Sequence, residues 1–207
     1  MSVLIIDYGM CNLGSVKRAF EECGATAFVS DNPKEVEKAS HIVLPGVGAF
    51  ADAMKNLVAI GWDIALQKNV LEQGVPLLGI CLGMQLLAKR GFEGGERKGL
   101  GLINGDIIKI HSKVGTQNFR VPHIGWNEIH KQTEHPLLDK IEVSTDFYFV
   151  HSYCFETSCK EDVLATTNYG LDFPSVVGRD NIMGVQFHPE KSSKAGFQII
   201  QNFLNIN

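Results

Sequence analysis

The sequence has no unbroken apolar run approaching the roughly 18 residues of a membrane span, so no membrane-crossing helix is expected. It has no excess of positive charge either. Nineteen Lys and Arg against 23 Asp and Glu leave a net charge of −4, which recommends neither nucleic acid nor an anionic membrane as a partner. No C-x-x-C pair occurs, and the five cysteines (Cys11, Cys23, Cys81, Cys154, Cys159) are odd in number. That disfavours a disulfide scaffold and suits a cytoplasmic protein with free thiols. Cys154 and Cys159 lack the second pair that a structural metal site needs, so no metal is expected. The start, Met1-Ser2-Val3-Leu4-Ile5-Ile6-Asp7, has no basic leader and meets an aspartate early, so no secretory signal is expected. Internal repeats, low-complexity stretches and linkers are missing as well. Residues 1–207 therefore read as one domain of ordinary size.

What is present is an ordinary globular composition, 44% hydrophobic and 20% charged over 207 residues, with strand-like and helix-like stretches alternating through the first half. Val3–Ile6, Ala27–Val29, His41–Leu44 and Val75–Ile80 read as short buried strands. Between them, Val16, Ala19, Phe20 and Cys23 form a helical stripe that stops at Gly24. Asp31 and Pro33 begin a short capped helix, Phe50–Leu57 and Trp62–Gln73 are helical candidates, and Leu82–Lys89 follows the fourth strand. Such alternation predicts an α/β fold with a mainly parallel central sheet flanked by helices and active residues at the carboxyl ends of strands. The second half changes character. After a glycine-rich stretch over 91–105 come short β-type runs at 107–110, 147–150, 163–167, 175–178 and 182–187, which predict antiparallel additions. A final helix is expected over about Ser193–Leu204.

Pro76-Leu77-Leu78-Gly79-Ile80-Cys81-Leu82-Gly83-Met84-Gln85 reads as a buried strand, a cysteine at a tight corner and the start of a helix. A strand-to-helix elbow pushes its side chain out of the sheet, and the first N–H groups of the helix favour a thiolate there. By itself the segment also suits a buried structural cysteine. Near the C-terminus stands Gly184-Val185-Gln186-Phe187-His188-Pro189-Glu190. The alternation of Ile182, Gly184 and Gln186 with Met183, Val185 and Phe187 predicts a short strand with one covered face. Pro189 holds His188 in an extended backbone, so residues two apart project to one side and a carboxylate can hold one nitrogen of the imidazole. That is a base with its orienter. His41–Leu44 runs into Pro45-Gly46-Val47-Gly48, where bare backbone N–H groups of Gly46 or Val47, with that of Leu82 beside the elbow, could hold an oxyanion. A plain glycine turn is the other reading.

In that order the three segments resemble the motifs of class I (triad) glutamine amidotransferases. Asp7-Tyr8-Gly9-Met10, Val121-Pro122-His123-Ile124-Gly125-Trp126-Asn127, Tyr148-Phe149-Val150-His151-Ser152-Tyr153 and Lys191-Ser192-Ser193 narrow the resemblance to the glutaminase subunits of imidazole glycerol phosphate synthases of histidine biosynthesis. The resemblance implies a nucleophile Cys81, a base His188 and an orienter Glu190, and contact with L-glutamine through Gly46, Val47, Leu82, Gln85, His151, Ser152 and Tyr153. It implies no cofactor. It further implies a heterodimer in which Asn12, Trp126, Tyr148 and Lys191 meet a (βα)8-barrel cyclase whose interior receives the ammonia. Because unescorted hydrolysis wastes glutamine, a mobile 45–48 loop is expected to complete the oxyanion hole only when the partner's substrate is bound. An alternative within the resemblance is a paralogous glutaminase serving a sugar amidotransferase of surface-polysaccharide synthesis. One departure is Cys11, where the family usually has glycine; it places a side chain near the expected docking segment.

Overall fold

The apolar runs of the first half become neighbouring parallel strands. The computed structural model describes residues 1–114 and 116–206. In it β1 (Ser2–Ile6), β2 (Thr26–Ser30), β3 (His41–Leu44) and β4 (Leu77–Ile80) lie in the order β2-β1-β3-β4. Val3 stands opposite Ala27 and His41, and Ile42 opposite Leu77. β3 and β4 are buried throughout, as strands covered on both faces must be. Alternate residues of β1 serve two cores. Val3 and Ile5 pack with Val16, Ala19 and Phe20 of α1 (Leu13–Glu22), while Leu4 and Ile6 pack with Phe50, Ala53 and Leu57 of α2 (Phe50–Ile60).

Two helices are shorter than periodicity predicts. The segment expected as one helix over Trp62–Gln73 is α3 (Trp62–Leu66) followed by a π-helical turn over Gln67–Glu72. The elbow helix α4 (Leu82–Leu86) stops before Lys89. Its last carbonyls are taken by the glycine-rich chain, with Leu100 N–H donating to Leu86 O, Leu102 N–H to Leu87 O and Gly101 N–H to Ala88 O. An incoming loop thus satisfies groups that a further turn would have used. The cap of the short helix over Pro33–Lys38 is Asn32, whose side chain accepts from Lys34 N–H at 3.2 Å, rather than Asp31.

The glycine-rich stretch holds β5 (Arg90–Gly91) and β6 (Arg97–Lys98), after which come β7 (Gly105–Lys109), β8 (Lys113–Val114), β9 (Gln117–Asn118), β10 (His123–Glu128), β11 (His130–Lys131), β12 (Asp146–His151), β13 (Tyr153–Thr157), β14 (Val163–Tyr169), β15 (Leu171–Arg179) and β16 (Ile182–Val185), ending in α5 (Ser193–Leu204). β16 joins β4 in parallel and β15, β14 and β11 continue antiparallel, giving one eight-stranded sheet, β11-β14-β15-β16-β4-β3-β1-β2. A four-stranded sheet, β13-β7-β5-β6, and an antiparallel two-stranded sheet, β10-β12, lie beside it. The expected mainly parallel sheet with antiparallel C-terminal additions is what the chain forms. The run 182–187 differs in one respect: every residue is buried, not one face only, because β16 sits in the interior of the sheet between β15 and β4. No helix among the described residues is long and apolar enough to cross a membrane.

Candidate active site

Cys81 stands between β4 and α4, as the N-cap of the helix, with φ 54° and ψ −110°. A non-glycine residue held there costs on the order of 1–3 kcal/mol, and two neighbours hold it: Cys81 N–H donates to Val185 O at 2.8 Å, and Gln85 N–H donates to Cys81 O at 3.2 Å. The flanking glycines permit the elbow. A Cβ on Gly83 would fall 1.7 Å from Leu44 O, and one on Gly79 2.8 Å from the Gly83 backbone. The Cys81 side chain is nearly buried; its Sγ lies 3.9 Å from Val150 O and 3.8 Å from the Gln186 Nε2 donor.

His188 follows the neighbouring strand β16. Its Nδ1–H donates to Glu190 Oε1 at 2.8 Å, both side chains being buried, while Nε2 has no hydrogen-bond partner among the described residues. Burial opposes charging the ring, but the Cys81 sulfur and the Glu190 carboxylate outweigh it and raise the pKa from 6.5 to about 9. The ring backbone is clamped too. His188 N–H donates to Tyr148 O at 2.9 Å, and Ser192 Oγ donates to His188 O at 2.6 Å while accepting from Tyr148 N–H at 3.0 Å.

Cys81 and His188 line one cavity of about 310 Å³, together with Leu82, Gln85, Val47, His151, Ser152 and Tyr153. That size is typical of a small-molecule site. Gly46 is not on its wall; it is buried against Tyr8 and Leu82. Val47 is on the wall, but its N–H donates to Met10 O at 2.9 Å, so in this conformation it is not free to serve an oxyanion. Gln85 uses both amide hydrogens, on Tyr153 O at 2.9 Å and Gln186 Oε1 at 3.0 Å. His151 has both ring nitrogens engaged, with Tyr153 O and with His123, each at 2.9 Å. Of the two imidazoles on the cavity wall, His188 alone has a nitrogen without a hydrogen-bond partner among the described residues.

Sequence reasoning passed over three side chains of the site. Glu93, in the glycine-rich stretch, caps α2 by accepting from Phe50 N–H at 2.8 Å and also lines the cavity. Gln186 is completely buried and bridges Gln85 to Cys81; its place in an otherwise apolar run was the available signal. Ser192 ties His188 to Tyr148, a link between chain segments that no local pattern announces.

The expected docking residues lie outside the cavity. Trp126 and Tyr148 are opposite each other in the β10–β12 pair, edge to face at 6.1 Å, and Lys191 Nζ sits 5.9 Å from the centre of the Tyr148 ring. Trp126 is 53% and its neighbour Ile124 58% exposed, an apolar patch. Asn12 is exposed at the start of α1 and shares a groove with Glu190. Cys11 does not project outward. It is half-buried, with Sγ 3.5 Å from Pro45 O and 3.7 Å from Ile6 O, and burial pushes its thiol up to about 11.

The family model described as glutamine amidotransferase class-I matches residues 4–206. A relative from Campylobacter jejuni (strain RM1221), imidazole glycerol phosphate synthase subunit HisH 1, is 45% identical over 205 residues, covering 99% of this chain and 100% of its own. Another, imidazole glycerol phosphate synthase subunit HisH of Moorella thermoacetica, is 47% identical over 201 residues, covering 97% and 93%. Among solved structures, PurLQS from Thermotoga maritima superposes with a TM-score of 0.77 over 99% of this chain and 97% of that one; at 18% identity the likeness is one of fold.

Proposed function

This chain belongs to the glutamine amidotransferase class-I family, and from that premise we propose that Cys81, His188 and Glu190 hydrolyse L-glutamine to glutamate and ammonia. The assigned role is that of the glutaminase subunit of an imidazole glycerol phosphate synthase in histidine biosynthesis, the name that the relatives at 45–47% identity carry. Those names do not favour the paralogous sugar amidotransferase. The observation that carries the mechanism is the His188 ring: tied through Nδ1 to Glu190, it keeps Nε2 unbonded on the wall of the cavity that Cys81 also lines.

The Cys81 thiolate adds to the side-chain amide carbon of glutamine. The imidazolium of His188 gives its Nε2 proton to the departing nitrogen, and ammonia leaves a glutamyl thioester. The neutral ring then takes a proton from water as its oxygen attacks the thioester. Collapse returns the thiolate and releases glutamate. Glu190 holds the tautomer and balances the charge on the ring. Leu82 N–H is one oxyanion donor. Val47 N–H becomes the second when the 45–48 loop lets go of Met10 O, at a cost of about 1 kcal/mol for one hydrogen bond. The free oxygen of Gln85 and the carboxylate of Glu93 suit the α-ammonium group of the substrate.

Ammonia released into neutral water is mostly protonated and lost to synthesis, so the glutaminase acts docked on a cyclase. We assign a (βα)8-barrel cyclase to the face formed by Asn12, Trp126, Tyr148 and Lys191, residues 1–207 acting as one cytoplasmic domain. Replacing Cys81→Ala is expected to abolish glutamine-supported synthesis by the complex and to leave ammonium-supported synthesis intact. Glutamine turnover persisting in that variant would overturn the assignment.

A further inference from the structure

Behind the cavity runs a chain of hydrogen bonds with one direction. A carbonyl can only accept, so the 2.9 Å contact of His151 Nδ1 with Tyr153 O puts the ring proton on Nδ1. His151 Nε2 is then bare and accepts from His123 Nδ1–H at 2.9 Å. That leaves His123 Nε2 bare, and Asn127 Nδ2 donates to it at 3.3 Å. Asn127 in turn is fixed at both ends of its amide, donating to Asn168 O at 3.0 Å and accepting from Glu128 N–H at 2.9 Å. His123 is buried and held flat between Tyr169 and Phe149, whose ring centres lie 4.0 and 5.0 Å away. At the inner end, Tyr153 O accepts from both His151 and Gln85, and Gln85 passes its second hydrogen to Gln186 beside Cys81.

We propose that His123 is a positioning residue for glutamine binding: by donating to His151 Nε2 it locks the His151 tautomer that, with Tyr153 O, turns the Gln85 oxygen toward the substrate. With the other tautomer, the His151 Nδ1 lone pair would face the Tyr153 carbonyl, that carbonyl would withdraw, and Gln85 would lose the acceptor that fixes its amide. Burial holds both rings neutral, His151 down to about 3 and His123 to about 4, so the chain persists through physiological pH.

The inference rests on the glutaminase reading of the cavity, and the ring protons can be read without any turnover. Long-range proton–nitrogen spectra of the protein should assign the His151 proton to Nδ1; a ring protonated at Nε2 overturns the proposal outright. In the complex with its synthase partner, His123→Phe keeps the stacking and removes the donor. It should raise the KM for glutamine about tenfold, the equivalent of one lost hydrogen bond, with kcat within about threefold and ammonium-supported synthesis unchanged. His123→Asn, whose amide can stand where the ring Nδ1 stood, should recover most of the KM. Equal loss in both variants would make His123 a packing residue only. If His123→Phe does not fold, Asn127→Leu strips the outermost donor, and an unmoved KM together with an unmoved His151 tautomer would then refute the proposal.

Discussion

Replacing Glu190→Gln tests how the base is charged. The folded pKa of His188 stands at about 9 against an ordinary 6.5, a difference of roughly 2.5 units or about 3 kcal/mol in favour of the imidazolium. Burial pulls the other way, so the Cys81 sulfur and Glu190 together supply more than that net figure. Substituting an amide removes one of the two anionic partners while keeping the shape of the side chain. The ring should then titrate at least about one unit lower, and with Cys81→Ala added it should fall below 6.5, because burial alone remains. Stability follows with a definite sign. Taken alone, the raised ring pKa contributes stability that is complete below 6.5 and disappears as pH rises through 9. A folded Cys81 thiolate offsets it, because the unfolded chain keeps that thiol proton up to about 8.5, so Cys81→Ala alone, with Glu190 still paired to the ring, should lose stability across that window and the double variant should not. Ring-proton chemical shifts against pH give the titration, and urea midpoints at pH 6 and 9 give the stability. A His188 ring that still titrates near 9 in the double variant would refute the electrostatic account of the site.

Other perturbations reach the scaffold. Gly83→Ala would drive a Cβ to 1.7 Å from Leu44 O, forcing α4 off β3; a loss of about 1–3 kcal/mol in a denaturant melt and collapse of glutamine turnover are expected, and a variant of parental stability and rate would contradict the elbow packing. Arg179→Ala would strip the fork, Nε to Oδ1 at 3.0 Å and Nη2 to Oδ2 at 2.6 Å, that holds buried Asp162; a loss of about 3 kcal/mol with retained turnover is expected by urea titration. The buried neutral rings of His151 and His123, at about 3 and about 4, bind fewer protons than the unfolded chain below pH 6.5. Stability should therefore fall as pH drops from 6.5 toward 4, and a flat profile of urea midpoints over that range would sink the tautomer assignment along with it.

The sequence alone carried the order of elements and the chemistry-bearing residue types. Strand, elbow and helix were legible at 76–85 because glycines at 79 and 83 have a steric reason to be there. The pairing of His188 with Glu190 was legible because Pro189 restricts the backbone between them. What lay beyond it were contacts between segments distant in the chain. The end of α4 was set by residues 99–103 reaching its carbonyls, and the burial of both faces of β16 by its place between β15 and β4. Gly46 or Val47 was expected to donate to an oxyanion, yet the Val47 N–H is held by Met10 O, a partner 37 residues away. Cys11 was expected only to add a side chain near the docking segment; that it turns in toward Pro45 O was decided by the fold. The Gln85–Gln186–Cys81 bridge and the His123–His151 pair join residues 28 to 105 positions apart. Local patterns report a residue's own backbone preference and the side of an element on which it lies. Which donor meets which acceptor is decided when the sheets close around the cavity, where most buried polar groups find a partner among whatever the fold brings near and His188 Nε2 is left for the substrate.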